Sequence, residues 1–202
     1  MRQIKIITLV CVLYLVGSCA AAAEDCKSLE NVGPDGLVSY LEGTLPNDGN
    51  AECVTYAIKT LAQHRYKPAI PMLVKLLDFR RPPNAHEKNH VLLHPPIIEE
   101  MYPAAAALEE IGTISKSAAP AVLSAIGSTS SSATARENAV AVWMELHKYQ
   151  SAKGVTLLKQ EAIAYTDPAV KENLRWALSK APAWCNPKDK ARCRAAAALP
   201  KP

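Results

Sequence analysis

Three histidines, His86, His90 and His94, stand four residues apart in a stretch bounded by the pairs Pro82-Pro83 and Pro95-Pro96. On a helical turn His86 and His90 would share a face, and His94 or Glu87 would complete a divalent-metal ligand set. The flanking prolines weigh against two regular turns here. The histidines are therefore read as solvated loop residues, with a metal site as the alternative. Arg80 and Arg81 lead into the same stretch. Two guanidiniums side by side can clamp an anion, but solvated arginines after a helix are the plainer reading.

Other reactive residue types fall into no catalytic pattern. Glu99-Glu100 and Glu109-Glu110 are sequence neighbours, not carboxylates facing each other across a sugar. The first pair suits the opening turn of a helix, where the backbone dipole favours negative charge. The eight glycines make neither a phosphate loop nor a dinucleotide fingerprint, and no G-x-S-x-G elbow occurs. Lys188, Lys190, Arg192 and Arg194 crowd around Cys193. Anionic lipid heads or an acidic partner would suit such a cluster; it is read as a solvated terminus. A non-enzymatic protein without a cofactor is expected.

The first residues point to a compartment. Arg2 and Lys5 precede the apolar run Ile6 to Val16, and Ala21-Ala22-Ala23 precedes Glu24. A run of that length is too short to span a bilayer, which takes about 20 residues. The pattern is that of a signal peptide over 1–23. Leu15-Val16-Gly17-Ser18-Cys19 resembles a lipobox, so lipidation of Cys19 is the competing route, and the membrane enters only through that anchor. The expected location is a bacterial periplasm or the exterior. Residues 24–202 keep 21 basic against 19 acidic side chains. So small an excess, with aromatics at 5%, argues against nucleic acid as a partner.

The elements that must position these residues come from an apolar stripe that recurs. Ile58, Leu108, Trp143 and Leu178 are separated by steps of 50, 35 and 35. The same steps align Val54, Ala104, Ala139 and Leu174, and also Leu61, Ile111, Leu146 and Ala181. Positions i, i+4 and i+7 line one helix face, so each unit holds a helix with one buried side. Second helices follow: Ile70, Leu73, Val74 and Leu77 match Ala119, Val122, Leu123 and Ile126, with Pro71 and Pro120 coinciding in the first turns. In the third unit Gly154, Leu157 and Leu158 fit, but Glu161 falls where an apolar residue is expected.

Helices are expected over 35–45, 50–63, 68–77, 97–111, 116–126, 134–149, 152–165 and 168–180. Thr134 with Glu137 forms a candidate capping box, and Asp167-Pro168 supplies an N-cap and a first-turn proline. Trp143 is expected in the core and Trp176 at the capped end. The longer first step places an insertion of some 15 residues within 78–96, and insertions in repeat arrays map to one face, often the binding face. A period near 35 residues built from helices means stacked hairpins. The fold class is all-α, an α-α superhelix of about four repeats forming one domain over 24–202.

That frame selects the disulfides. Cys26, Cys53, Cys185 and Cys193 remain after the signal peptide, and four cysteines allow three pairings. Stacked repeats hold their ends apart, and a disulfide needs Cα atoms within about 7 Å. Cys26–Cys53 and Cys185–Cys193 follow, the second closing a tail at 182–202. No thiolate nucleophile then remains.

Tyr56-Ala57-Ile58 through Ala69-Ile70-Pro71-Met72-Leu73, and Ala106-Ala107-Leu108-Glu109-Glu110-Ile111-Gly112 through Ala119-Pro120, resemble HEAT repeats. Asp167-Pro168-Ala169-Val170 with Ala177-Leu178 resembles the short HEAT-like form of phycobilisome lyases. The resemblance covers roughly 50–181. It implies a solenoid whose concave wall is lined by second helices and whose usual role is protein binding or scaffolding. A protein or peptide partner is thus expected, with Lys75, Arg80 and Arg81 as contacts and the 78–96 loop contributing. The alternatives are a metal-binding accessory protein using His86, His90 and His94, and a bilin-lyase-like enzyme. Export and disulfides argue against the last, because those enzymes handle a cytoplasmic chromophore.

Overall fold

All twelve residues of the first-helix stripe are buried in the computed structural model, from Val54 and Ile58 near the start to Leu178 and Ala181 near the end. The structure describes residues 26–44, 46–47, 49–83, 98–115 and 117–199. Among these it contains only helices, turns and irregular chain. The seven Leu or Ile side chains of the stripes, each worth about 1.5–3 kcal/mol when fully buried, explain why the stripes decide the architecture.

The helices are α1 (Pro34–Gly43), α2 (Ala51–Gln63), α3 (Ile70–Lys75), α4 (Ile98–Met101) and α5 (Pro103–Ser115). They continue as α6 (Ala119–Gly127), α7 (Ala133–Leu146), α8 (Ser151–Ala164), α9 (Pro168–Lys180) and α10 (Lys190–Ala197). Helix α2 packs on α5, and α5 on α7; α3 packs on α5 and α6; α6 packs on α7 and α9; α8 packs on α9 and α10. None of α1–α3 packs extensively against α8–α10.

Several boundaries differ from expectation for physical reasons. The helix expected over 97–111 breaks at Tyr102, because Pro103 opens α5 and disfavours helical backbone in the residue before it. The helix expected over 68–77 begins as a 3-10 turn, Lys67–Ala69, and its regular part ends at Lys75. Helix α7 is capped by Ser132, not Thr134: the Ser132 hydroxyl accepts from the Ala135 backbone N–H at 3.0 Å. Thr134 lies inside the first turn. Asp167 caps α9 as expected, accepting from the N–H groups of Ala169 and Val170. In α8 the buried face runs through Val155, Leu158 and Ala162. A one-residue shift of register thereby moves Glu161 to the half-buried side. The tail also contains a helix, α10, that no apolar period announces.

Both expected disulfides are present, Cys26–Cys53 and Cys185–Cys193. Trp143 is 4% exposed and its indole N–H donates to the Gly154 carbonyl at 3.0 Å, tying α7 to α8. Trp176 is half-buried, with the Arg136 and Lys180 cations within 6.0 Å of its ring.

Candidate functional site

A concavity opens beside α3. A groove of about 650 Å³ opens between the end of α1, Thr44 and Pro46, α3 and the chain at 78–80. Its floor is apolar: Leu41, Met72 and Leu76 are buried core residues, and Phe79 packs against that core. Its rim is charged, with Glu42 and Asp78 against Lys75 and Arg80. A second groove of about 330 Å³ lies between α3, α6, the serine-rich connector and the first turn of α7. Lys75 and Asp78 line both. The two concavities therefore meet along the C-terminal end of α3.

Local sequence explains this shape. Pro71 and Pro120 mark the first turns of two short helices, and Gly127 ends α6 before Ser128 turns into extended backbone. The connector is held by its own hydroxyls: Ser131 donates to the Ala125 carbonyl at 3.0 Å, and Ser128 and Ser130 share a hydrogen bond of 2.8 Å. Ser132 has two roles, capping α7 and donating to the Asp78 carboxylate at 2.8 Å. One rim carboxylate is thus fixed in place by the element on the far side of the second groove.

The floor is supported from behind. Asn138 is 2% exposed and its amide donates to the Leu77 carbonyl at 2.6 Å, just after α3 ends. Asn173 does the same for α6, donating to the carbonyls of Gly127 and Ser128 at 3.1 and 3.2 Å. The last carbonyls of a helix lack intrahelical donors, and here a first helix supplies them to a second helix. The two asparagines are separated by 35 residues, the repeat step itself. That signal was available in the sequence, one position ahead of the Ala139 and Leu174 stripe.

The anticipated contact residues separate. Lys75 and Arg80 are exposed on the groove. Arg81 is half-buried and turned away: its Nε donates to the Glu100 carbonyl, and its backbone N–H donates to the Met101 carbonyl at 3.0 Å. It joins the 78–83 segment to α4, a positioning task. His86, His90, His94 and Cys19 lie outside the described residues, as does most of the 78–96 insertion. The sequence there says more than the paired histidines alone: residues 86–90 read His-Glu-Lys-Asn-His, the H-E-x-x-H order in which two histidines bind zinc and the glutamate acts as general base. Among the described residues no group of three or more His, Cys, Asp or Glu side chains is placed to hold a metal.

Electrostatic perturbation lies away from the grooves. Tyr66 hydrogen-bonds the Asp35 carboxylate, and that bond holds the phenol above its ordinary range. Lys148 is raised by its hydrogen bond and ion pair with Glu145. Neither group lines either groove. Compared with protein-family models, characterised proteins and solved structures, the chain shows no significant match to any of them.

Proposed function

We propose that this chain is an exported, HEAT-like solenoid that binds a protein or peptide along α3 and α6. The observation that carries this reading is the pair of grooves joined at Lys75 and Asp78, with an apolar floor and a charged rim. Peptide recognition needs such a combination: apolar pockets supply affinity and fixed polar groups set register. The sequential packing of α2, α5 and α7, and the separation of α1–α3 from α8–α10, support stacked repeats over a closed bundle. Two disulfides support an oxidising compartment and agree with the leader-like start. No helix among the described residues is long and apolar enough to cross a membrane.

Reversing the groove cations tests the reading. Peptides selected on the wild-type protein should bind a Lys75→Glu, Arg80→Glu variant at least about tenfold more weakly, since truncation at well-placed contacts costs above about 1 kcal/mol each. Both side chains are exposed, so the melting temperature should stay unchanged. Unaltered binding would remove the groove from consideration.

A second reading rests on His86-Glu87-Lys88-Asn89-His90. In it the inserted segment holds zinc through His86 and His90, with His94 as third ligand and Glu87 activating a bound water. Zinc content after dialysis against a weak chelator decides the metal: one equivalent in the wild type and none in His86→Ala, His90→Ala supports it. Metal-free wild type dismisses it. Peptide hydrolysis abolished by Glu87→Ala would extend the reading to an enzyme.

A further inference from the structure

The C-terminal cap carries a charge that the rest of the molecule lacks. From Lys180 onward the chain has six basic residues and one acidic, whereas residues 24–179 have fifteen basic and eighteen acidic. The positive side chains Lys188, Lys190, Arg192 and Arg194 are all exposed. Asp189 lies 3.9 Å from Arg192, and no other carboxylate among the described residues pairs with these four. The same segment exposes two large apolar side chains, Trp184 at 40% and Leu199 at 41%.

The cap is pre-ordered. Cys193, buried, is joined to Cys185, so α10 is tied to the chain before it. Helix α10 packs on α8, and the turn Ala181–Trp184 packs on α7 and α9. Basic and apolar groups are therefore carried on one braced segment, and little conformational entropy is lost when it engages a surface.

We propose that residues 181–199 form a docking surface for an anionic lipid bilayer. An acidic polypeptide would answer the cations but leave Trp184 and Leu199 in water. The boundary between lipid headgroups and acyl chains accepts both, since aromatic rings favour that level and cations gain from anionic headgroups. Each Lys or Arg near such a surface contributes about 1 kcal/mol, roughly fivefold in binding. Lys190 and Arg194, one turn apart on α10, share a face and together amount to about one order of magnitude or more. The cap shares no lining residue with the grooves at Lys75, so this inference and the peptide-binding reading fail separately.

Vesicle sedimentation tests it, using chain that begins at Glu24 so that no lipid can be attached at Cys19. Sedimentation is expected with phosphatidylglycerol-containing vesicles, not with phosphatidylcholine alone. It should fade as ionic strength rises from about 0.1 M to about 1 M, where the screening length falls from about 10 Å to about 3 Å. The variant Lys188→Gln, Lys190→Gln, Arg192→Gln, Arg194→Gln should lose at least about tenfold in vesicle affinity with its melting temperature kept. Tryptophan emission should shift to the blue on anionic vesicles, and Trp184→Phe should abolish the shift. Equal binding to neutral vesicles, no sedimentation at low salt, or undiminished binding by the folded quadruple variant would overturn the proposal. Retention on polyglutamate beads without any emission shift on vesicles would overturn it in favour of an acidic protein partner.

Discussion

Asn138 places a buried amide against the carbonyl of Leu77, and truncation would leave that carbonyl without its donor. Leaving a buried polar group unpaired costs about 1–3 kcal/mol. Asn138→Ala should therefore lower the unfolding free energy, read from urea denaturation, by an amount in that range. Asn173→Ala should cost less, because Asn173 is half-buried and water can replace it at Gly127 and Ser128. Equal effects, or none at Asn138, would mean the amide does not support the end of α3. At this scale the sequence was legible wherever burial decides. Trp143 sits at a stripe position and is core; Cys26 finds Cys53 because the repeat frame leaves one neighbour for it. Arg81 was opaque for the opposite reason. Its partners are the backbone of Glu100 and Met101, about 20 residues on, and no local pattern marks a side chain that bonds to remote main chain.

Helix boundaries were decided by backbone chemistry more finely than by periodicity. Ser132, Thr134 and Glu137 all suit the start of α7, and a capping-box spacing favours Thr134. The chain uses Ser132, whose hydroxyl serves two acceptor and donor tasks at once, to Ala135 and to Asp78. Ser132→Ala should destabilise the protein by about 1 kcal/mol, read from thermal or urea unfolding, whereas Thr134→Ala should change it little. The reverse ranking would restore the capping box. Helix α8 shows why a period alone misplaces a face: Glu161 stays half-exposed because Val155, Leu158 and Ala162 carry the burial one register over. Helix α10 escaped notice because it buries one side chain only, Cys193, and is held by a disulfide where other helices are held by a stripe.

At the scale of the molecule, successive helices bury their stripes against neighbours while the short second members α3 and α6 leave room above them. Pro71 and Pro120 set where those members begin, and Gly127 is where α6 ends. What the sequence could not reveal was where the grooves would open, since that depends on helix lengths and on the serine connector closing back through Ser132 to Asp78. Hydrogen exchange of the protein with and without a selected peptide reads the consequence directly. Protection is expected over Met72–Arg80 and Ser124–Ser132, with the backbone of α8 to α10 unchanged. Protection confined to α8–α10, or peptide binding with no change along α3 and α6, would contradict a recognition groove built by the second helices.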